Sequence, residues 1–214
     1  MARGKSATFE QQRGAILAEA ARLFAEKGFH NASMAELAKA CGVSKPLLYH
    51  YYRDKEHILF DIADSYMDQL QAIVVDVEGE GRAAEPHLAE LVMRFMKEYE
   101  HSQSQHVVLV QDVKFLQAEQ SRQVVEKQRR VVAAFADAIE RVEPGLKRRR
   151  LDKPVAMILF GMINWTFTWL HADGRFTYAD MAPVVTAILL NGVKGLLATE
   201  TLRAASAHTT ADAA

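Results

Sequence analysis

The sequence predicts an all-α chain of about nine helices, a small three-helix head followed by a larger helical body. Three observations carry that expectation. Apolar residues recur three and four positions apart through most of the chain, alternation at period two is nearly absent, and glycine and proline mostly fall between the periodic segments. With 214 residues, half of them hydrophobic and a quarter charged, the chain has the composition of a globular protein able to bury a sizeable core.

In the first helix, Ile16, Leu17, Ala20, Ala21, Leu23 and Phe24 form an apolar stripe, and Gly28 suits the position just past a helix end. Ser33 caps a short second helix, Met34 to Cys41, and Glu36 completes a capping box. Gly42 and Val43 make a turn. Ser44 then caps a third helix with Pro46 in its first turn, where a missing N–H costs nothing. Asp54 starts a long fourth helix to about Val77, after which Gly79, Gly81 and Pro86 mark a break. Helices follow over Pro86 to Ser104, Val107 to Gln120 and Ser121 to Val142, ended by Glu143-Pro144-Gly145. The basic run Lys147 to Arg150 reads as a solvated surface stretch. Two further helices, Asp152 to His171 and Tyr178 to about Thr201, are joined by Ala172-Asp173-Gly174-Arg175, and the tail from Ala204 is expected to fray.

Charge divides the chain in the same place. Residues 1–57 carry nine Lys/Arg against six Asp/Glu, whereas residues 58–214 are net acidic. A basic head on an acidic body is the asymmetry of a chain whose head alone meets phosphate. The single cysteine, Cys41, excludes an intrachain disulfide and a cysteine-based zinc site, and reads as a small apolar residue. The start of the chain lacks a signal peptide's apolar run. The apolar stretch 154–170 is short for a membrane span and holds Asn164, so it reads as a buried helix and the protein is expected in the cytoplasm.

The spacing from Ser33 to Tyr52 carries the most information. A helix-turn-helix needs two short helices crossing through a tight turn, so that the second can lie in the major groove. Leu37 and Ala38 face inward from the first of them, Gly42 permits the turn, Val43 plugs its underside, and Leu48 and Tyr52 return to the core. Lys45, Leu47, Tyr49 and His50 are left pointing outward, a set suited to phosphate and base-edge contact.

The run from Ser33 through Lys45-Pro-Leu-Leu-Tyr-His-Tyr-Tyr-Arg-Asp-Lys55-Glu, preceded by Ile16-Leu-Ala-Glu-Ala-Ala-Arg-Leu-Phe and Lys27-Gly-Phe, resembles the TetR family of bacterial regulators over residues 9–60. The resemblance implies base or nearby phosphate contacts from Ser44, Lys45, Pro46, Leu47, Tyr49 and His50, and backbone clamps from Ser33, Tyr51 and Lys55. Tyr51 stands where the family often has His, and Pro46 where Gly is frequent. Arg3 and Lys5 read either as an arm reaching a groove or as a solvated tail.

In the body, Met157, Ile158, Phe160, Gly161 and Ile163, with Met181, Val184, Val185, Ile188, Leu189, Val193, Leu196 and Leu197, place apolar groups on more than one face of the last two helices. Such helices are buried on several sides, by their own domain and by a partner, and the resemblance implies a homodimer formed through them on a palindromic duplex operator. The segment Gly161 to Leu170, with Ala172-Asp-Gly-Arg-Phe176, resembles TetR-family members that sense acyl-coenzyme A thioesters. Trp165 and Trp169, four apart, are expected to share a helix face beside Asn164 and Thr168, with Met162 nearby; Phe95, Tyr99, Val113 and Leu116 are further wall candidates. Interface packing of the two tryptophans is the competing reading. Arg122, Arg129 and Arg130 are candidate cations for coenzyme A phosphates, or simply a solvated face.

The expected function is therefore a ligand-released transcriptional repressor: residues 1–57 bind DNA, residues 58–214 bind the effector and dimerise, and no cofactor or membrane is involved. A regulator of drug efflux sensing a hydrophobic or cationic compound is the alternative. No phosphate-cradling glycine loop, nucleophile elbow or His-Glu-x-x-His spacing argues for an enzyme. An architectural DNA-binding protein would need a much more basic body.

Overall fold

The computed structural model describes residues 2–171 and 173–196, with side chains from Phe9 onward; among these are ten α-helices, three 3-10 turns and no strand. The chain groups into two compact units. One holds the residues up to Ala72 with Glu98–Arg129; the other holds Ile73–Lys97 with the chain from Arg130 onward.

The first unit begins with α1 (Ala2–Lys27), whose stripe buries Ile16, Ala20, Ala21, Leu23 and Phe24. Helix α2 (Met34–Ala40) starts with the anticipated capping box: the Ser33 hydroxyl accepts from the Glu36 amide at 3.2 Å, and the Glu36 carboxylate accepts from the Ser33 amide at 3.0 Å. At its other end the Val43 amide donates to the Ala38 carbonyl at 3.0 Å. That bond requires Gly42 in the left-handed region, at φ 64°. Helix α3 (Lys45–Tyr51) follows, capped by Ser44. The long helix α4 (Lys55–Gly79) is tied to α1 where the Arg13 guanidinium donates to Asp61 at 2.7 Å.

Helices α5 (Ala84–His101), α6 (Gln103–Gln111) and α7 (Ala118–Val142) do not follow the predicted breaks. The span expected as one helix, Val107 to Gln120, holds the end of α6, a 3-10 turn (Val113–Phe115), an extended Leu116 at ψ 148° and the start of α7. Tertiary contact overrides local propensity there. The Phe115 ring stacks on Phe29 at 5.7 Å and meets the edge of His30 at 4.1 Å, and Leu116 is buried. Lys127 of α7 reaches Asp64 at 2.6 Å and Asp68 at 2.5 Å on α4.

In the second unit the rings of Phe95, Phe135 and Phe160 form a buried cluster, with Phe135 edge-on to both others at 4.8 and 4.9 Å. A short helix, α8 (Gly145–Arg148), begins the basic run, whose four residues are exposed as predicted. It ends in the same kind of turn as α2, with the Leu151 amide donating to the Leu146 carbonyl at 3.0 Å, but Arg150 occupies the left-handed position at φ 56°. Since a Cβ is disfavoured there, Arg150→Gly should raise stability by about 1 kcal/mol, read as an increased urea midpoint at constant m.

Helix α9 (Asp152–Asn164) stops well before the predicted His171 and passes into a 3-10 turn, Thr166–Thr168. The Thr166 and Thr168 hydroxyls donate to the carbonyls three residues back, Ile163 at 2.6 Å and Trp165 at 2.7 Å, which favours the tighter turn. Helix α10 (Tyr178–Leu196) packs on α9. It is long and apolar enough, by length and composition, to cross a membrane. In this fold it buries Ala182, Val185, Leu189 and Val193. The predicted end of this helix and the tail from Ala204 lie outside the described residues.

Candidate nucleic-acid interface

Helix α3 turns Leu48 wholly inward, with Tyr52 buried just beyond it, and leaves Lys45, Pro46, Tyr49 and His50 exposed, Tyr49 at 47%. Leu47 is half-buried. Packing alone thus presents a cation, two aromatic rings and a pyrrolidine on one surface, a set that can meet phosphates and base edges. Ser33 and Ser44 are also exposed, although each hydroxyl is engaged in capping its helix.

Two of the predicted backbone clamps have partners within the chain. The Lys55 ammonium donates to the carbonyls of Phe29, His30 and Ala32 at 3.0, 3.2 and 3.3 Å and lies 4.5 Å from the centre of the Phe29 ring. A phosphate contact from Lys55 would compete with these bonds. Tyr51 is half-buried: Phe9 stacks on its ring at 4.6 Å, and its hydroxyl lies 3.4 Å from the Gln12 amide oxygen. Phe9 and Gln12 were not among the predicted site residues. The available signal was a lone aromatic ring, seven residues before Ile16, in an otherwise polar stretch. Arg3 and Lys5 belong to the first turns of α1, and their side chains lie outside the described residues.

Local electrostatics support a passive role for Cys41, since burial, with a smaller effect from Glu19, pushes its thiol up to about 11 and keeps it protonated at neutral pH. Glu36 is held at about 2 by the Lys27 ammonium and the two Ser33 donors, so the capping carboxylate stays ionised.

The predicted effector residues divide between the units. Tyr99, Val113 and Leu116 fall in the first, where the buried Tyr99 ring stacks on His106 at 3.8 Å and burial raises its phenol pKa. Phe95, Met162, Asn164, Trp165, Thr168 and Trp169 fall in the second. Phe95 is engaged in the three-ring cluster, while Met162 and Asn164 are half-buried. The expected shared helix face of Trp165 and Trp169 does not form, because α9 has ended before Trp165. Trp165 is 60% and Trp169 50% exposed, and Thr168 is exposed beside them. Arg122 and Arg129 form surface pairs with Glu119 and Glu126. Arg130 is exposed.

A groove of about 1020 Å³ runs between the ends of α4 and α7 in the second unit, lined by Val74, Val75, Ala134 and Pro144 with Glu78 and Arg141 among its charged groups. None of the predicted effector residues lines it. At its margin the Arg141 guanidinium lies 2.8 Å from Glu78 and 3.2 Å from the buried His87 ring. Burial and Arg141 hold the His87 imidazole below its usual 6.5, against a smaller opposing effect from Glu78; Arg82 further lowers it and Glu80 raises it. The folded state therefore binds fewer protons at this position than the unfolded chain does. Its stability should be unaffected by His87 above pH 6.5 and decline as pH falls from there towards the folded-state value. Comparing urea midpoints of wild type and His87→Gln at pH 7.5 and 5.5 tests this: the variant should show the smaller loss.

Comparisons with known proteins agree with this geometry. Residues 16–62 match the model of bacterial regulatory proteins of the tetR family, and residues 80–193 match a tetracyclin repressor-like C-terminal domain. The chain is 25% identical over 186 residues to the HTH-type transcriptional repressor KstR2 of Mycobacterium tuberculosis, covering 85% of this chain and 92% of that one. A TetR-family transcriptional regulator from Bordetella parapertussis 12822 superposes with a TM-score of 0.80 at 32% identity, over 83% of this chain and 93% of that chain. AibR, solved in complex with isovaleryl coenzyme A and operator DNA, shares the fold with a TM-score of 0.74 at 23% identity, over 84% of this chain and 98% of that one. These matches span the helix-turn-helix and the helical body together, and this chain belongs to the TetR family of bacterial transcriptional regulators, not to a family of enzymes.

Proposed function

We propose that the protein is a cytoplasmic repressor that binds a palindromic duplex operator as a homodimer and is released by a small-molecule effector, an acyl-coenzyme A thioester. The observation carrying the DNA-binding part is α3 itself, whose core residues are buried while Lys45, Pro46, Tyr49 and His50 remain exposed. Leu47, Tyr51 and the capped ends at Ser33 and Ser44 flank that surface, and Lys55 supports it through the carbonyls it binds. Residues 1–57 read the operator in this proposal, and residues 58–214 sense the effector and dimerise.

Dimerisation is favoured by the apolar groups that α9 and α10 leave uncovered. Met157 is 57%, Ile158 62% and Ile188 58% exposed, with Val184 also exposed. These side chains make an outward face on helices whose other face is already buried, as expected where a second copy packs. Trp165 and Trp169, both exposed, fit this partner-facing role better than the wall of an internal pocket.

The effector class is inferred from relatives: AibR was solved with isovaleryl coenzyme A and operator DNA, and KstR2 is named as a repressor. Phe95, Met162 and Asn164, all in the second unit, are the proposed effector contacts. Thermal unfolding with a panel of acyl-coenzyme A thioesters, their free acids and coenzyme A alone tests the class. A ligand present at 100 times its Kd stabilises the folded state by about 2.7 kcal/mol. Stabilisation by particular thioesters, with loss of DNA binding, supports the reading. No response to any thioester, with a response to an organic cation instead, would replace it with the efflux-type alternative.

A further inference from the structure

We propose that Phe9 is a positioning residue for DNA binding: by stacking on Tyr51 it fixes the C-terminal end of α3, so that His50 and Tyr51 meet the duplex in one orientation. This rests on the reading that α3 contacts DNA. Tyr51 is the last residue of α3, and Tyr52 beyond it is extended at φ −137°. A side chain at such a helix end has no following turn to restrain it. Three groups supply the restraint: Phe9 against the ring face at 4.6 Å and 23°, Gln12 at the hydroxyl, and His50 edge-on at 5.7 Å and 85°.

The source of the restraint is α1. Phe9, Gln12, Ile16 and Ala20 follow three- and four-residue spacing, so the face of α1 that packs into the core at Ile16 and Ala20 continues outward for two more turns to Phe9. Ile16 and Ala20 are buried, whereas Phe9 remains 39% exposed and Glu10 and Gln11 beside it are exposed. The Phe9 ring therefore sits on the surface, against one aromatic partner, on a helix that the Arg13–Asp61 pair and the core hold in place. Such a stack adds little to global stability. It does order the Tyr51 ring before DNA arrives, reducing the entropy lost on binding and holding the neighbouring His50 against a fixed surface.

The test uses a labelled duplex that the wild-type chain selects from a random-sequence library, with affinities measured at one salt concentration. Phe9→Ala should weaken binding about tenfold with a melting temperature near that of wild type, and Phe9→Trp should restore affinity. Phe9→Leu, which keeps an apolar helical residue but removes the stack, should behave like Phe9→Ala. In a Tyr51→Ala background, Phe9→Ala should cause no further loss. Wild-type affinity in both Phe9→Ala and Phe9→Leu, or losses at Phe9 and Tyr51 that simply multiply, would overturn the proposal. Lys45→Ala separates the two levels of the argument. If it weakens binding while the Phe9 variants do not, only the role of Phe9 is lost; if it binds like wild type, the assignment of α3 and this inference fail together.

Discussion

Ile188→Asp is expected to convert the proposed dimer into a folded monomer whose affinity for the selected duplex is roughly a hundredfold below that of wild type, because one head alone would then engage. Ile188 is exposed within the single chain, so the substitution leaves that chain's core intact. In a symmetric pair each copy would contribute the residue, and a desolvated carboxylate on both sides opposes association strongly. Sedimentation velocity reports the oligomeric state, and titration of the labelled duplex reports the affinity. The matched substitution Val75→Asp, at an exposed apolar residue on α4, should leave both unchanged. A dimeric Ile188→Asp protein with full affinity would place the interface elsewhere.

Phe135→Ala should be strongly destabilising. The ring is completely buried between Phe95 and Phe160, and removing it leaves a cavity that two other aromatic groups cannot readily close around. Large aromatic-to-alanine changes of this kind cost about 3–5 kcal/mol. Chemical denaturation should therefore show a sharply lowered midpoint, and Phe135→Leu should recover part of it because it refills most of the volume. A midpoint within a few tenths molar of wild type would show that the cluster repacks freely.

The head was more legible in the sequence than the body, for a physical reason. Its elements are short and their ends are set by neighbouring residues: Ser33 with Glu36, Gly42 in its left-handed turn, and Ser44 ahead of Pro46. Such signals act over a few positions and can be read directly. The breaks at Leu116 and Trp165 depend on other physics. The first is held by rings from a distant part of the chain, Phe29 and His30, and the second by threonine hydroxyls that turn back on carbonyls three residues earlier. Apolar periodicity continues through both and gives no warning. The pattern also identified Lys45, Tyr49 and His50 as outward-facing, but an outward-facing pattern cannot reveal that the Lys55 ammonium folds back onto main-chain oxygens. Phe9 was missed because its partner is 42 positions away, a separation over which period carries no information.

The Lys55 contact also bears on how the head folds. The carbonyls it gathers lie 23 to 26 positions earlier in the chain, so the irregular turn after α1 gains its charged donor only once the beginning of α4 has docked. The intervening segment contains the whole of α2 and α3. Closing a loop of that length carries an entropic cost before the contact compensates for it, which makes the step non-local and late compared with helix formation itself. The two short helices consequently have little reason to persist in isolation: a fragment spanning residues 29–54 should show weak helicity by circular dichroism.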